Sequence, residues 1–165
     1  MFISPANLGS SRYVYKTDKW LSEEGLQVSR ALPKDTVLVT CIGSTIGKTG
    51  LTYAKKSATN QQINAIICDS KVNPHFLYYW LSFNEDYIKS FAVTVAVPIL
   101  NKSNFEKIQI PVAPLSEQEQ IAHILSTVDK KIEAEERKKA TLCELFKTML
   151  HKLMTGEIRL RHVEV

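Results

Sequence analysis

Ile110–Leu125 reads IPVAPLSEQEQIAHIL, and the change of character inside it decides how the chain divides. Pro111 and Pro114 lack a backbone N–H and turn the residues before them away from helix, so one region ends here and a helix can start. Ser116 with Glu119 three residues on matches a capping box, in which the hydroxyl takes a free first-turn N–H and the carboxylate reaches back. Beyond it, Ile121, Leu125, Val128, Ile132, Leu142, Phe146, Met149 and Leu153 recur in steps of four and three apart from one central gap. No proline or glycine intervenes before Thr155-Gly156, which supplies the stop. The spacing predicts a helix of about 39 residues, roughly 58 Å long, carrying a coiled-coil seam. A helix of that length exposes its apolar stripe unless a second helix packs on it. The gap holds Glu135 and Lys139, which either meet their counterparts across an antiparallel pair and fix its register or form a solvated pair within one helix.

Upstream the pattern changes to short strands, turns and short helices. Thr36–Ile42 (TVLVTCI) is β-branched and apolar between polar flanks, the clearest strand. Leu51–Ala54, Ile63–Cys68 and Ile108–Pro111 are further expected strands. Pro74–Phe83 (PHFLYYWLSF) has the aromatic density of a buried helix, with Pro74 in its first turn and Asn73 as N-cap.

The 165 residues carry a formal net charge of +4, unevenly placed. Met1–Ser116 holds 12 Lys or Arg against 8 Asp or Glu, whereas Glu117–Val165 holds nine of each. Within the front part, the 33 residues Thr36–Cys68 contain Lys48, Lys55 and Lys56 and no acid, a local field that favours a polyanion or forms a solvated face. No run approaches the roughly 18 apolar residues of a membrane span, and no secretory leader pattern opens the chain, so a cytoplasmic protein is expected. Cys41, Cys68 and Cys143 are odd in number and in no CxxC arrangement, and are read as reduced, mostly buried hydrophobes.

Two stretches imitate catalytic motifs. Gly43–Thr49 (GSTIGKT) follows a strand and ends in Gly-Lys-Thr, but a phosphate-binding loop needs four residues between its glycines and here there are three. Gly50–Ala54 then reads as strand, so the helix N-terminus that should face a phosphate is missing. A tight hairpin-like turn presenting Ser44, Thr45 and Lys48 is expected instead. Asn73–Phe76 (NPHF) approaches the Asn/Asp-Pro-Pro-Tyr/Phe motif of amino-methyltransferases, but His75 stands third and no glycine-rich cofactor loop accompanies it, so helix entry is the better account. His123 and His151 lie four heptads apart, roughly 42 Å along the helix, and make no metal site. No catalytic residue, metal or cofactor is expected.

The Pro-x-x-Pro-Leu-x-Glu-Gln phrase of Pro111–Gln118, followed by Ile121-Ala122, Val128-Asp129, Ile132 and the closing Leu153-Met154-Thr155-Gly156 with Arg159 and Arg161, resembles the helical region of type I restriction-modification specificity subunits. Ser22–Leu26, Val37–Lys48, Thr59–Gln61 and Asn101–Phe105 resemble one of that family's target recognition domains. The resemblance covers nearly the whole chain. It implies an α+β fold: a small mixed recognition domain over 1–114, a spacer and dimerisation helix over 115–156 that packs antiparallel on a second helix, and a tail over 157–165. Family members usually contain two recognition domains and two helical regions, so the chain resembles a half-subunit that starts inside its recognition domain. Each recognition domain of the family reads half of a bipartite double-stranded DNA site. Methyltransferase subunits using S-adenosylmethionine and a motor-nuclease subunit are the family's partners.

The expected DNA contacts are Lys48, Lys55, Lys56 and Arg30 on phosphates and Ser44, Thr45, Gln61 and Asn101 on bases. Homodimerisation is expected through Leu125, Val128, Ile132, Glu135, Lys139, Leu142, Phe146, Met149 and Leu153. The competing reading is a coiled-coil fragment that binds a methyltransferase or another specificity subunit without productive DNA contact.

Overall fold

β-Branched and apolar side chains put Val37–Thr40 (β3) at the centre of the fold, and all four of its residues are buried. The computed structural model describes residues 1–93 and 96–160. Two compact units divide the chain, Met1–Leu125 and Ser126–Val165, with the division falling inside the long helix. Arg161, part of the expected basic tail, lies outside the described residues.

In the first unit β3 pairs antiparallel with Thr49–Thr52 (β4) on one side and Ile63–Ile66 (β6) on the other. Tyr13–Val14 (β2) adds to β4 in parallel, giving the order β2-β4-β3-β6. Phe2–Ile3 (β1) and Ala58–Thr59 (β5) form a separate parallel pair. Alternation along β3 feeds two cores. Val37 and Val39 join Leu51, Ile46 and Leu100 beneath Leu77 and Leu81 of Pro74–Phe83 (α2), while Leu38 joins Ile3, Leu8, Val14, Leu32 and Ile63 on the opposite face. Shorter helices are Glu23–Val28 (α1), Glu85–Ser90 (α3) and Lys102–Phe105 (α4).

α2 spans the expected residues, and the Asn73 side chain accepts from the N–H groups of His75 and Phe76 as an N-cap should. The long helix, Leu115–Met154 (α5), has 40 residues and so is about 60 Å long. It closes where Thr155 N–H reaches the His151 carbonyl at 2.9 Å and Gly156 takes a φ of 74°.

Three expectations need correction. Ser116 is not the N-cap of α5, because the helix already includes Leu115 and the Pro114 carbonyl accepts from Glu117 and Gln118 at 2.9 and 3.1 Å. Ile108–Pro111 forms no strand: Pro111 has no N–H to give a ladder, and Ile108 and Ile110 pack sideways on the core beneath α2. Cys41 is buried and Cys68 half-buried as free thiols, but Cys143 is exposed on α5.

Candidate nucleic-acid interface

Gly43–Lys48 is the connection between antiparallel β3 and β4, so the Gly-Lys-Thr run enters a strand. Gly43 and Gly47 take φ of 93° and 90°, conformations that side chains with a Cβ rarely adopt. The turn is tied by Gly47 N–H to the Thr40 carbonyl at 3.0 Å and Lys48 N–H to the Thr45 carbonyl at 3.1 Å. Ser44 is exposed, and Thr45 and Lys48 are half-exposed. The Lys48 stem lies against Gly9, where a Cβ would meet its Cδ at 3.1 Å.

Three backbone bonds bring two distant segments to this turn. Cys41 N–H donates to the Gln62 carbonyl at 2.7 Å, Leu100 N–H to the Cys41 carbonyl at 2.8 Å, and Gly43 N–H to the Pro98 carbonyl at 3.0 Å. Ser44, Thr45, Lys48, Gln61 and Asn101 therefore gather at one end of the four-stranded sheet. Gln61 is exposed, and Asn101 spends its side-chain oxygen on the Asn104 N–H as the cap of α4. Glu85 crowds Gly47 from below, its carboxylate held by Lys89 at 2.7 Å.

Lys55 and Lys56 are exposed beyond the other end of β4, next to the Leu32–Ser57 bridge, so they share no patch with Lys48. Arg30 stands along the free edge of β6, in a cleft it lines with Leu32, Asn64, Ile66, Lys102 and Phe105.

Sequence reasoning missed an aromatic and cationic cluster at this second end. Tyr13, Tyr15 and Tyr53 have ring centroids 4.9 to 5.9 Å apart, with Arg12 5.2 Å above Tyr13 and Lys34 6.0 Å from both Tyr13 and Tyr53. Tyr13 Oη donates to Asp35 at 2.6 Å, and burial, reinforced by this acceptor, raises the phenol above its ordinary value. His75 packs edge-on against Tyr13, and burial lowers its imidazole, with Asp35 opposing and Arg12 and Lys34 reinforcing the shift. The alternation of Tyr13 and Tyr15 was the available signal; that Tyr53 and Lys34 join them is a matter of tertiary folding.

On α5, Leu125, Val128, Ile132, Leu142, Phe146, Met149 and Leu153 all face solvent in the single chain. Leu145 and Leu150 flank them and are also exposed. Glu135 pairs with Lys138 at 3.9 Å, three residues on, and Lys139 is exposed. Among the described residues no group of three or more His, Cys, Asp or Glu could hold a metal ion, and no helix is long and apolar enough to cross a membrane.

The chain thus combines a mixed α+β domain, with a polar, glycine-shaped turn at one sheet end, and a long helix whose apolar stripe is uncovered in the single chain. Residues 13–144 match the family described as Type I restriction modification DNA specificity domain. The chain belongs to that family. It is 32% identical over 170 residues to the type I restriction enzyme HindI specificity subunit of Haemophilus influenzae, covering 95% of this chain and 35% of that protein. It is 34% identical over 110 residues to the MjaVIII specificity subunit of Methanocaldococcus jannaschii, covering 67% and 24%. Its fold matches the crystal structure of a type I restriction-modification S subunit from M. genitalium with a TM-score of 0.66 at 21% identity, over 92% of this chain and 37% of that one. The chain thus spans about a quarter to a third of the length of these curated relatives.

Proposed function

We propose that this chain reads one half of a bipartite DNA site for a type I restriction-modification complex and pairs through α5 to present a second reader. The observation that carries the reading is the meeting of Ser44, Thr45, Lys48 and Gln61 at one sheet end, inside a stretch free of acidic residues. Hydroxyl and amide tips can both donate to and accept from base edges, and one lysine adds a phosphate contact. Arg30, Lys55 and Lys56 reach phosphates further along the duplex.

The stripe on α5 supports homodimerisation, since seven large apolar residues on one face gain by leaving water together. Two-fold symmetry then requires two-fold-related half-sites. The methyltransferase and motor-nuclease subunits supply the chemistry, and the chain itself reads and assembles.

Binding to random and pool-selected duplexes, titrated against salt with and without the methyltransferase subunit, tests this. A selected duplex bound more tightly than random DNA is expected, with affinity falling steeply as salt rises. Lys48→Ala should weaken all duplexes alike and flatten the salt slope by about one phosphate contact. Capture of the methyltransferase subunit with no salt-dependent DNA binding would contradict the reading and favour an interaction fragment.

A further inference from the structure

The segment that precedes Asn101 brings apolar groups to the same sheet end. Val93 and Ile99 exchange backbone bonds at 2.9 and 3.2 Å, Ile99 bridges to Ile42, and Pro98 accepts from Gly43 N–H. Leu100 turns into the core, whereas Val93 is 46% exposed, Val97 51% and Ile99 38%. Three branched side chains are therefore exposed on a segment tied to the turn, Val97 next to the Pro98 that bonds Gly43 and Val93 one pairing further out across Ile99.

We infer that Val93 and Val97 form an apolar lip of the DNA-reading end and recognise thymine through its C5-methyl group. The inference rests on the DNA-reading assignment above and names one feature that the end would read. Among base edges in the major groove, the thymine methyl is the only apolar group, so an exposed valine beside hydrogen-bonding side chains has one chemical match there. Ser44, Thr45 and Gln61 supply hydrogen bonds to base edges, and of these only Thr45 also offers a methyl group. Burying one methyl between base and valine is worth about fourfold in affinity. The lip thereby separates thymine from cytosine by shape and apolar contact in addition to hydrogen bonding.

The test removes the methyl from the DNA and leaves the protein unchanged. Duplexes are selected from a random pool with the full chain, and each thymine is replaced in turn by deoxyuridine. At least one replacement should weaken the wild-type chain about fourfold. A Val93→Ser, Val97→Ser double variant, both positions being exposed, should lose most of the discrimination between the thymine and uracil duplexes at that position. Wild-type binding indifferent to every replacement would overturn the inference, as would a double variant that keeps the wild-type discrimination. If no duplex shows salt-dependent binding at all, the DNA-reading assignment falls and takes the lip with it, a result distinct from selective binding without methyl dependence.

Discussion

Gln118 and Asn73 are joined side chain to backbone: Gln118 Oε1 accepts the Asn73 N–H at 2.8 Å, at the residue whose own side chain caps α2. Gln118 Nε2 donates to the carbonyls of Lys71 at 3.1 Å and Ala113 at 2.7 Å, so both amide protons are used. The glutamine is fully buried, at 0% exposure. One side chain thus ties the first turn of α5, the turn before α2 and the Pro111–Pro114 segment, which gives the glutamine of the family phrase a physical role.

Gln118→Leu keeps the volume and strands a buried N–H and two carbonyls, and should lower unfolding free energy by about 3 kcal/mol. Ser116→Ala should change it by less than about 0.5 kcal/mol, because Ser116 lies inside the helix, whereas loss of a true cap costs about 1 kcal/mol. Urea denaturation of both variants checks the pair. A larger loss at Ser116 than at Gln118 would restore the capping box and contradict the latch.

Local signals carried well from sequence to structure. Asn73-Pro74 announced α2 because cap and first-turn chemistry act within four residues, and the four-three spacing announced α5 because it repeats over many turns. Ser116 misled by two positions, since a Ser-x-x-Glu pattern is equally at home inside a first turn. The strand expected at Ile108–Pro111 failed because apolar residues beside a core look alike whether or not a partner strand exists. Two-residue strands such as Phe2–Ile3 are too short to show any period. The grouping of the candidate site residues was not legible: Lys48 and Lys55 are close in sequence yet separated by the length of β4, while Asn101 is distant in sequence yet adjacent to the turn.

Acid should weaken the first unit through His75. Its folded imidazole lies below the ordinary 6.5, so as pH falls below that value the unfolded chain takes up the proton first. Stability is fully present above pH 6.5 and declines as pH drops toward and through the folded value. His75→Phe, which preserves the ring contact with Tyr13, should flatten this decline between pH 7 and 5 in denaturation midpoints. An unchanged slope would assign the acid sensitivity elsewhere.

Cysteine reactivity should follow burial. Burial pushes the Cys41 thiol up to about 11 and raises Cys68 with help from Asp69, while Cys143 is exposed. Iodoacetamide at pH 8 should label Cys143 first and Cys41 last, by mass spectrometry of timed digests. Early labelling of Cys41 would show that the core beneath α2 opens readily.

Phe146→Asp places a charge in the C-terminal half of the exposed stripe without touching either core of the first unit. Sedimentation should show the unmodified chain as a dimer and the variant weakened by about a hundredfold or more in self-association. A monomeric unmodified chain at micromolar concentration would leave the stripe to another protein.

The central claim, that the Gly43 end reads bases, is tested most directly by comparing specificity changes from the two ends of the sheet on one selected duplex and a random one. Gln61→Ala, or Ser44→Ala with Thr45→Ala, should cut the preference for the selected duplex by roughly tenfold or more. The Lys55→Ala, Lys56→Ala double variant should weaken both duplexes alike and leave the preference intact. Loss of preference from Lys55 and Lys56 with none from Ser44, Thr45 and Gln61 would place base reading at the opposite end and contradict the account.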